Sequence, residues 1–540
     1  MSLLIVYQGY ENIDQRADYS YSLDLGQVKN TESLNNANKL NATAVSLRDE
    51  YSDYIYSINE QYLKNKLVYK NKISLYFLSD LSNKRTELFQ TFSTICHIDL
   101  LNDCVKQNDI TRVRFINCDK NFIDSFKSKI DLPIEGDGPV NYKTVKNYFL
   151  RQIVFFTKYI FALCYIKIFY KNTAPKKVKN IFLSRFPLHF DKAFNEEKYG
   201  FLVKSNDYFL ISIFTDGMHQ GLGFFESIKA AIDLKKISER KNIIFLDREV
   251  SIRDLLGNFL YSLWIYYNFR KLYSNTYVFK GVNISGYIFE ELDHSILRIP
   301  RLTLYRNALK RVFKKTNVSN FYYYLHEYSY GKFFTFILSQ YFPNVNRVGF
   351  QHGPASMRKL LYFLSKNEVN YDSKDAKYYL PMPNIILAED EQSVQVYEAA
   401  NYKHICVMEK IPRLAYLENI KRSNIEKGSV LVAFGLHDGN YIFNSLKDEV
   451  ISNPDKKYYF KLHPRSNIKV ISKDILETGL TNIKISEDHI SKYLSVVDEV
   501  IFTHSSVGQE AYSLGIKVRM LSSSGKINES PLFDIYKKNK

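Results

Sequence analysis

At 540 residues the chain exceeds one ordinary domain and points to roughly two to four. Hydrophobic residues make up 45% and charged residues 24%, which excludes global disorder. A formal net charge of +17 draws the chain toward anions: phosphates, nucleotides, nucleic acid or acidic membrane surfaces. The five cysteines (Cys96, Cys104, Cys118, Cys164, Cys406) are scattered and form no CxxC pair. That argues against a disulfide framework or a zinc cage, and a reducing cytoplasm is expected. The opening MSLLIVYQGYENIDQ has no basic n-region, so no signal peptide is expected there.

In chain order, residues 33–64 carry apolar positions at helical spacing in a polar background. Residues 73–77 (ISLYF) read as a short strand, 83–107 as a helix, and 113–116 as another strand. Residues 141–171 read as one long aromatic helix, stopped by NTAPKK. Residues 181–183, 209–214, 243–246, 321–325 and 348–350 are β-prone runs separated by helical patterns, the rhythm of βα units and a parallel sheet. The polar, Lys-rich segment 357–380 reads as a linker or interdomain helix, with a domain boundary before Pro381 and Pro383. Beyond it, strands are predicted at 385–387, 405–407, 430–434, 458–462, 483–485, 500–503 and 517–521, with helices at 490–497 and 508–514.

Two stretches invite a membrane reading. Residues 153–170 are apolar but carry Lys158 and Lys167, and residues 255–269 (LLGNFLYSLWIYYNF) are charge-free over only fifteen positions. A bilayer span needs about 20 apolar residues. Both therefore read as buried helices or as helices lying on a bilayer surface, where Tyr, Trp and flanking Lys/Arg are favoured.

In open α/β sheets ligands bind beyond the carboxyl ends of strands. There the chain places KLHPR, in which Lys461, His463 and Arg465 alternate and Pro464 ends the strand. It also places THSSVGQEA, in which Ser505 and Ser506 open a helix and Glu510 lies in its first turns. Hydroxyls and free N–H groups at a helix N-terminus suit an anion, and Glu510 suits ribose hydroxyls. Gly435, in AFGLHDG, opens the turn after another strand. Farther back, Glu327, His352 and Asp216 each follow a β-prone run and are candidates for general base or nucleophile.

At these residues the chain resembles bacterial glycosyltransferases of the GT-B architecture. Within them it resembles the surface-polysaccharide transferases that use CMP-activated ulosonic acids: Kdo, sialic acid and related nonulosonic acids. The resemblance rests on Lys461-Leu462-His463-Pro464, on Ser505-Ser506, and on Glu327 with Gln351-His352-Gly353, and it covers residues 320–520. It implies an α/β fold of two Rossmann-like domains facing across a cleft, with N-terminal helical additions. Residues 1–375 would form the acceptor side and 376–540 the nucleotide-sugar donor side. It further implies that His463, Ser505 and Ser506 hold the CMP phosphate, and that Glu327 or Asp216 deprotonates the acceptor or attacks the anomeric carbon. The acidic D/E-D/E-G motif of several sialyltransferase families is absent, which leaves that role open.

No DxD motif is present, so no metal or other cofactor is expected, and charge on the leaving phosphate falls to side chains and a helix dipole. The expected partners are a CMP-sugar, a glycan acceptor that is free or lipid-linked, and an anionic membrane at the inner face of the plasma membrane. No nucleic-acid module is recognisable. The rival readings are a CDP-glycerol or CDP-ribitol transferase of the teichoic-acid type, a sugar-nucleotide epimerase, and a nonenzymatic basic binder of membranes or nucleic acid.

Overall fold

The computed structural model describes residues 2–9, 16–24, 28, 30–136, 148–170, 176–187, 189–191, 193–213, 224–238, 242–325, 328–435, 438–463, 475, 477–486, 488–521 and 523–533. Ser2–Tyr7 (β1) is SLLIVY, and its last five residues are all buried. Burial on both faces marks a central strand of a parallel sheet. Alongside it run Tyr19–Ser22 (β2), Glu32–Ser33 (β3), Ile110–Ile116 (β4) and Ile134–Glu135 (β5), all parallel, in the order β3-β2-β1-β4-β5. Helix Ala37–Ser57 (α1) is capped by Asn36, whose side chain accepts from the Lys39 N–H at 2.9 Å. With helix Thr91–Gln107 (α2) it covers the face onto which Leu4 and Val6 point.

The N-terminal portion is therefore a third parallel α/β unit and not only helical additions. Residues 73–77 also differ from expectation. Ile73–Ser74 makes a two-residue antiparallel pair with Val68–Tyr69, and Leu75–Leu78 turns as a 3₁₀ helix. Their apolar side chains fill the core without joining a large sheet.

Helix Tyr148–Phe169 (α3) precedes the second sheet. That sheet comprises Lys177–Arg185 (β6), Tyr208–Ser212 (β7), Ile243–Phe245 (β8), Asn317–Tyr324 (β9), Asn346–Phe350 (β10), Ile385–Ala388 (β11) and Ile405–Val407 (β12). All pairings are parallel, in the order β8-β7-β6-β9-β10-β11-β12. Helices Ile252–Phe269 (α4) and Ser285–Thr303 (α5) lie in the long connection between β8 and β9.

The change of sheet does not fall at residue 375/376. Strands β11 and β12 pair onto β10, and one apolar core runs from Leu4 to Met408. The prolines at 381 and 383 sit in a crossover, which looks like a boundary in sequence because both interrupt regular structure. Residues 357–380 are not a solvated linker either. Lys84 Nζ donates to the Phe363 carbonyl (2.8 Å) and to Glu368 (3.2 Å), and the Ser365 hydroxyl donates to Asp53 (2.6 Å).

The third sheet contains Glu426–Ala433 (β13), Lys457–Lys461 (β14), Ile483–Ser486 (β15), Val497–Phe502 (β16) and Lys517–Met520 (β17). It is all parallel, in the order β15-β14-β13-β16-β17, with separate apolar clusters on its two faces. Helix Ser506–Ser513 (α6) follows β16. All three sheets thus start from a central strand, add two strands on one side, and then cross to the other. This is the doubly wound order, whose crevice lies between the first and fourth strands.

One buried acid gives a pH test of the core. The Glu291 side chain on α5 is buried and accepts from the Thr91 hydroxyl at 2.5 Å. Burial, the dominant cause, pushes its pKa up to about 8. The folded state holds this proton more tightly than the unfolded chain does. Its contribution to stability is full below the ordinary glutamate range and is lost as pH rises through about 8. Glu291→Gln removes this loss. Urea unfolding at pH 5, 7 and 8.5 is expected to show a gap in favour of the variant that widens by up to about 1.4 kcal/mol per pH unit. An identical pH dependence in the two proteins would contradict the assignment.

Candidate functional site

The third sheet's register builds the site. Ala433 of β13 is paired with Lys461 of β14 on one side and Phe502 of β16 on the other. The three strands therefore end at one level. Two residues past that level the chain places Gly435, His463 and His504 side by side along the carboxyl edge. The crossing point of the doubly wound order lies between β13 and β16, so Gly435 and His504 flank the crevice itself.

Asp438 ties the two sides of this crevice together. Its carboxylate is buried and accepts from the Gly435 N–H (2.7 Å) and from the Thr503 hydroxyl. His504 Nδ1 lies 3.1 Å from the Thr503 hydroxyl and 3.6 Å from Asp438 Oδ2. A Cβ on Gly435 would stand 2.8 Å from Asp438 Oδ2 and 2.9 Å from His504 Nε2. The glycine at 435 therefore makes room for this pair, and the space beside it is occupied.

Helix α6 begins at Ser506. Ser505 is its N-cap and accepts from the Val507 N–H at 3.4 Å, a long contact. Ser506 is the first helical residue, and both serines are half-buried. Gly508 serves packing, since a Cβ there would lie 2.4 Å from the Phe502 ring. Lys461 is directed to the outer strand, where its Nζ donates to the Asp488 carbonyl at 2.6 Å. Asp216, Glu327, Pro464 and Arg465 lie outside the described residues.

Opposite α6 stands the carboxyl edge of the second sheet. Gln351, following β10, is fully buried. Its side-chain amide donates to the Gly353 carbonyl (2.9 Å) and its side-chain oxygen accepts from the Glu389 N–H (3.0 Å). His352 beside it is exposed, with its ring 5.7 Å from that of Tyr324. The Glu389 carboxylate accepts from the Gly353 N–H (3.0 Å) and receives Arg413 in a two-pronged pair at 2.7 and 2.6 Å.

The same guanidinium reaches α6, donating to Gln509 at 3.3 Å and lying 3.8 Å from Glu510. Glu510 also accepts from the Tyr416 hydroxyl at 2.6 Å. The carboxylate expected at a ribose is thus engaged in a bridge between the sheets. Residues 523–533 return across the first two sheets. Arg358 donates to the carbonyls of Asn528 (2.6 Å) and Ser530 (2.8 Å), and the Thr86 hydroxyl donates to Glu529 at 2.5 Å.

Together these parts enclose a cavity of about 140 Å³. His504, Ser505, Ser506 and Gln509 line it from the third sheet, Pro354 and Lys359 from the second, and Glu529–Pro531 from the returning tail. Burial pushes the Glu529 carboxyl up, against the pull of nearby Lys359. The cavity therefore offers two serine hydroxyls, a helix N-terminus, an imidazole and an ammonium, beside a Glu529 carboxyl that burial disposes to hold its proton. This set suits a phosphate-sized anion.

Sequence reasoning did not select Asp438, His504, Lys359, Glu389, Arg413 or Glu529. His504 and Asp438 carried a usable signal, because each lies in the short turn after a strand. A further buried carboxylate, Glu196, sits by the second sheet's own crossing point. It accepts from the hydroxyls of Tyr324 (2.7 Å) and Ser184 (3.2 Å) and from the N–H groups of Lys198 and Tyr199, and burial pushes its pKa up.

No protein-family model and no curated protein matches the chain. Among solved structures, it is similar to the UDP-GlcNAc 2-epimerase of Methanocaldococcus jannaschii, at 11% identity over 63% of this chain and 83% of that one, with a TM-score of 0.30. It is also similar to the wall teichoic acid polymerase TagF, in two structures at 11% and 12% identity. Each covers 69% of this chain and 78% of that one, with TM-scores of 0.27 and 0.28. At these scores the likeness identifies neither substrate nor reaction.

The bridge between sheets has a measurable consequence. Arg413→Ala leaves the Glu389 carboxylate buried with the Gly353 N–H as a remaining donor, and is expected to cost about 3–5 kcal/mol in chemical denaturation. Adding Glu389→Gln is expected to return at least half of that loss. No rescue by the second substitution would mean that the pair is not what Arg413 stabilises.

Proposed function

We propose that the protein is a glycosyltransferase that moves a nonulosonic acid from its CMP-activated donor to a bacterial surface glycan such as an O-antigen or capsule. The sugar is of the Kdo, sialic, legionaminic or pseudaminic type. One observation carries this reading. At the crossing point of a doubly wound sheet, Ser505 and Ser506 open a helix into a cavity of about 140 Å³ that faces Lys359 across the cleft.

In this proposal the donor phosphate sits against Ser506 and the start of α6, with His463 reaching in from the end of β14, on the far side of β13. As the glycosidic bond to CMP breaks, negative charge grows on that phosphate. The helix N-terminus, His463, His504 and Lys359 stabilise it without having to reorganise. An acceptor hydroxyl attacks the anomeric carbon and gives up its proton to a general base, for which the carboxylates of Glu327 and Asp216 and the imidazole of His352 are the candidates from sequence. The charge stabilisation is assigned to side chains and not to a metal ion, so EDTA is expected to leave turnover unchanged.

The decisive assay is a donor screen with CMP-Kdo, CMP-sialic, CMP-legionaminic and CMP-pseudaminic acids, with released CMP read by mass spectrometry. CMP at 100 times its Kd is expected to stabilise the fold by about 2.7 kcal/mol, while UDP and GDP at the same concentration do not. His463→Ala and Ser506→Ala are expected to weaken CMP binding about tenfold or more, corresponding to loss of one charge-assisted hydrogen bond. Glu327→Gln or Asp216→Asn is expected to abolish turnover with CMP binding intact. Turnover of CDP-glycerol with none of any CMP-ulosonic acid would replace this reading with a teichoic-acid type transferase. Product formed without an acceptor would replace it with an epimerase.

A further inference from the structure

Helices α3 and α4 pack antiparallel along the second unit. The Tyr148 hydroxyl donates to the Ser262 carbonyl (2.9 Å), Tyr148 stacks on Tyr266 (4.7 Å), and Phe156 meets Phe259 (5.5 Å). Their inner faces belong to the core, yet their outer faces remain apolar. On α3, Leu150 (57% exposed), Ile153 and Phe161 face outward at helical spacing, and on α4 so do Leu256, Leu260 (65%) and Trp264. The two stripes meet where exposed Phe149 packs edge-on against Tyr266 at 4.8 Å. Isolated surface apolar residues need no explanation, but a continuous strip along two paired helices does.

Charge identifies the occupant. α3 carries an exposed Arg151 and a half-buried Lys158 and no acidic residue, while its Lys167 turns inward. The sole acid of α4, Asp254, is turned inward, where it caps the helix through Ser251 and accepts from Arg311 (2.7 Å) and Asn307 (2.7 Å). Arg253 and Arg270 of α4 and its flank are exposed. The strip is therefore apolar and aromatic with a cationic border. That pattern fits a bilayer surface carrying anionic headgroups, with Trp and Tyr at headgroup level.

α3 is also long and apolar enough to cross a membrane. Crossing would tear out its inner face, where Tyr159 donates to buried Asp247 (2.9 Å) and Lys167 donates to the Arg248 carbonyl (3.3 Å). The geometry points to α3 and α4 lying together in the plane of an anionic bilayer, half-embedded, as the surface by which the protein docks on membranes. This inference stands on the two helices alone and does not depend on the donor.

Trp264 is the single tryptophan of the chain and lies in the strip, so it reports the contact directly. Full-length protein would be mixed with phosphatidylglycerol–phosphatidylcholine vesicles and with pure phosphatidylcholine vesicles. Binding is expected to be at least about tenfold tighter to the anionic vesicles. The Trp264 emission is expected to shift to the blue and to be quenched by brominated acyl chains. Leu256→Glu with Leu260→Glu places charge at two exposed positions and is expected to weaken vesicle binding more than about tenfold. Circular dichroism and the melting curve should stay unchanged. Absence of vesicle binding by the folded protein, binding without Trp264 quenching, or a lipid-free dimer that buries Trp264 and is broken by the same variant would each overturn the proposal.

Discussion

A parallel ladder sends every strand end to the same edge, and here that constraint decides where chemistry can sit. Because Ala433 is in register with both Lys461 and Phe502, the residues two beyond each strand arrive together: Gly435, His463 and His504. The crossing of the doubly wound order then places a crevice between β13 and β16. Asp438 spans that crevice by taking the Gly435 N–H and the Thr503 hydroxyl. It holds the rim against which α6 starts, and so fixes where an anion could meet Ser505 and Ser506.

The opposing wall is held by a second constraint, the cost of burying charge. Glu389 is almost fully buried and is matched by a two-pronged arginine and a backbone N–H. Arg413 comes from the segment joining the second and third sheets, and it touches α6 as well. The connection between the units is therefore fastened at the cleft. The tail that carries Glu529 closes the cavity from a third direction and is itself anchored by Arg358 and Thr86. Three distant stretches of chain line one cavity, in which Lys359, His504 and the two serines stand beside the Glu529 carboxyl.

Much of the third sheet was legible in the sequence, for a physical reason. Its strands at 430–434, 458–462 and 500–503 are aliphatic or aromatic runs that stop at a glycine, a proline or a pair of serines. Local composition alone marks such ends. Of the N-terminal sheet only β4, read at 113–116, was legible, because β2 is the half-polar YSYS and β3 is two residues long. Their pairing is set by β1 and not by local propensity. The assignment of β11 and β12 failed for a related reason. Sheet membership is a long-range property, and two prolines in a crossover imitate a domain boundary.

Of the residues that line the cavity, the strand-end rule led to Ser505 and Ser506, while His463 stands at the end of β14 outside the lining. It missed Lys359 and Glu529, which approach from a turn and from the returning tail. The two aromatic helices were read as either buried or surface-bound, and in the structure each has one buried face and one exposed apolar face.

The central claim is that the crevice at β13 and β16 receives a nucleotide phosphate. A crystal structure of the protein with CMP tests it most directly. The account predicts phosphate oxygens within hydrogen-bond distance of the Ser506 hydroxyl and the His463 imidazole, at the start of α6. CMP bound at another edge, or bound here with its phosphate turned away from α6, would contradict it.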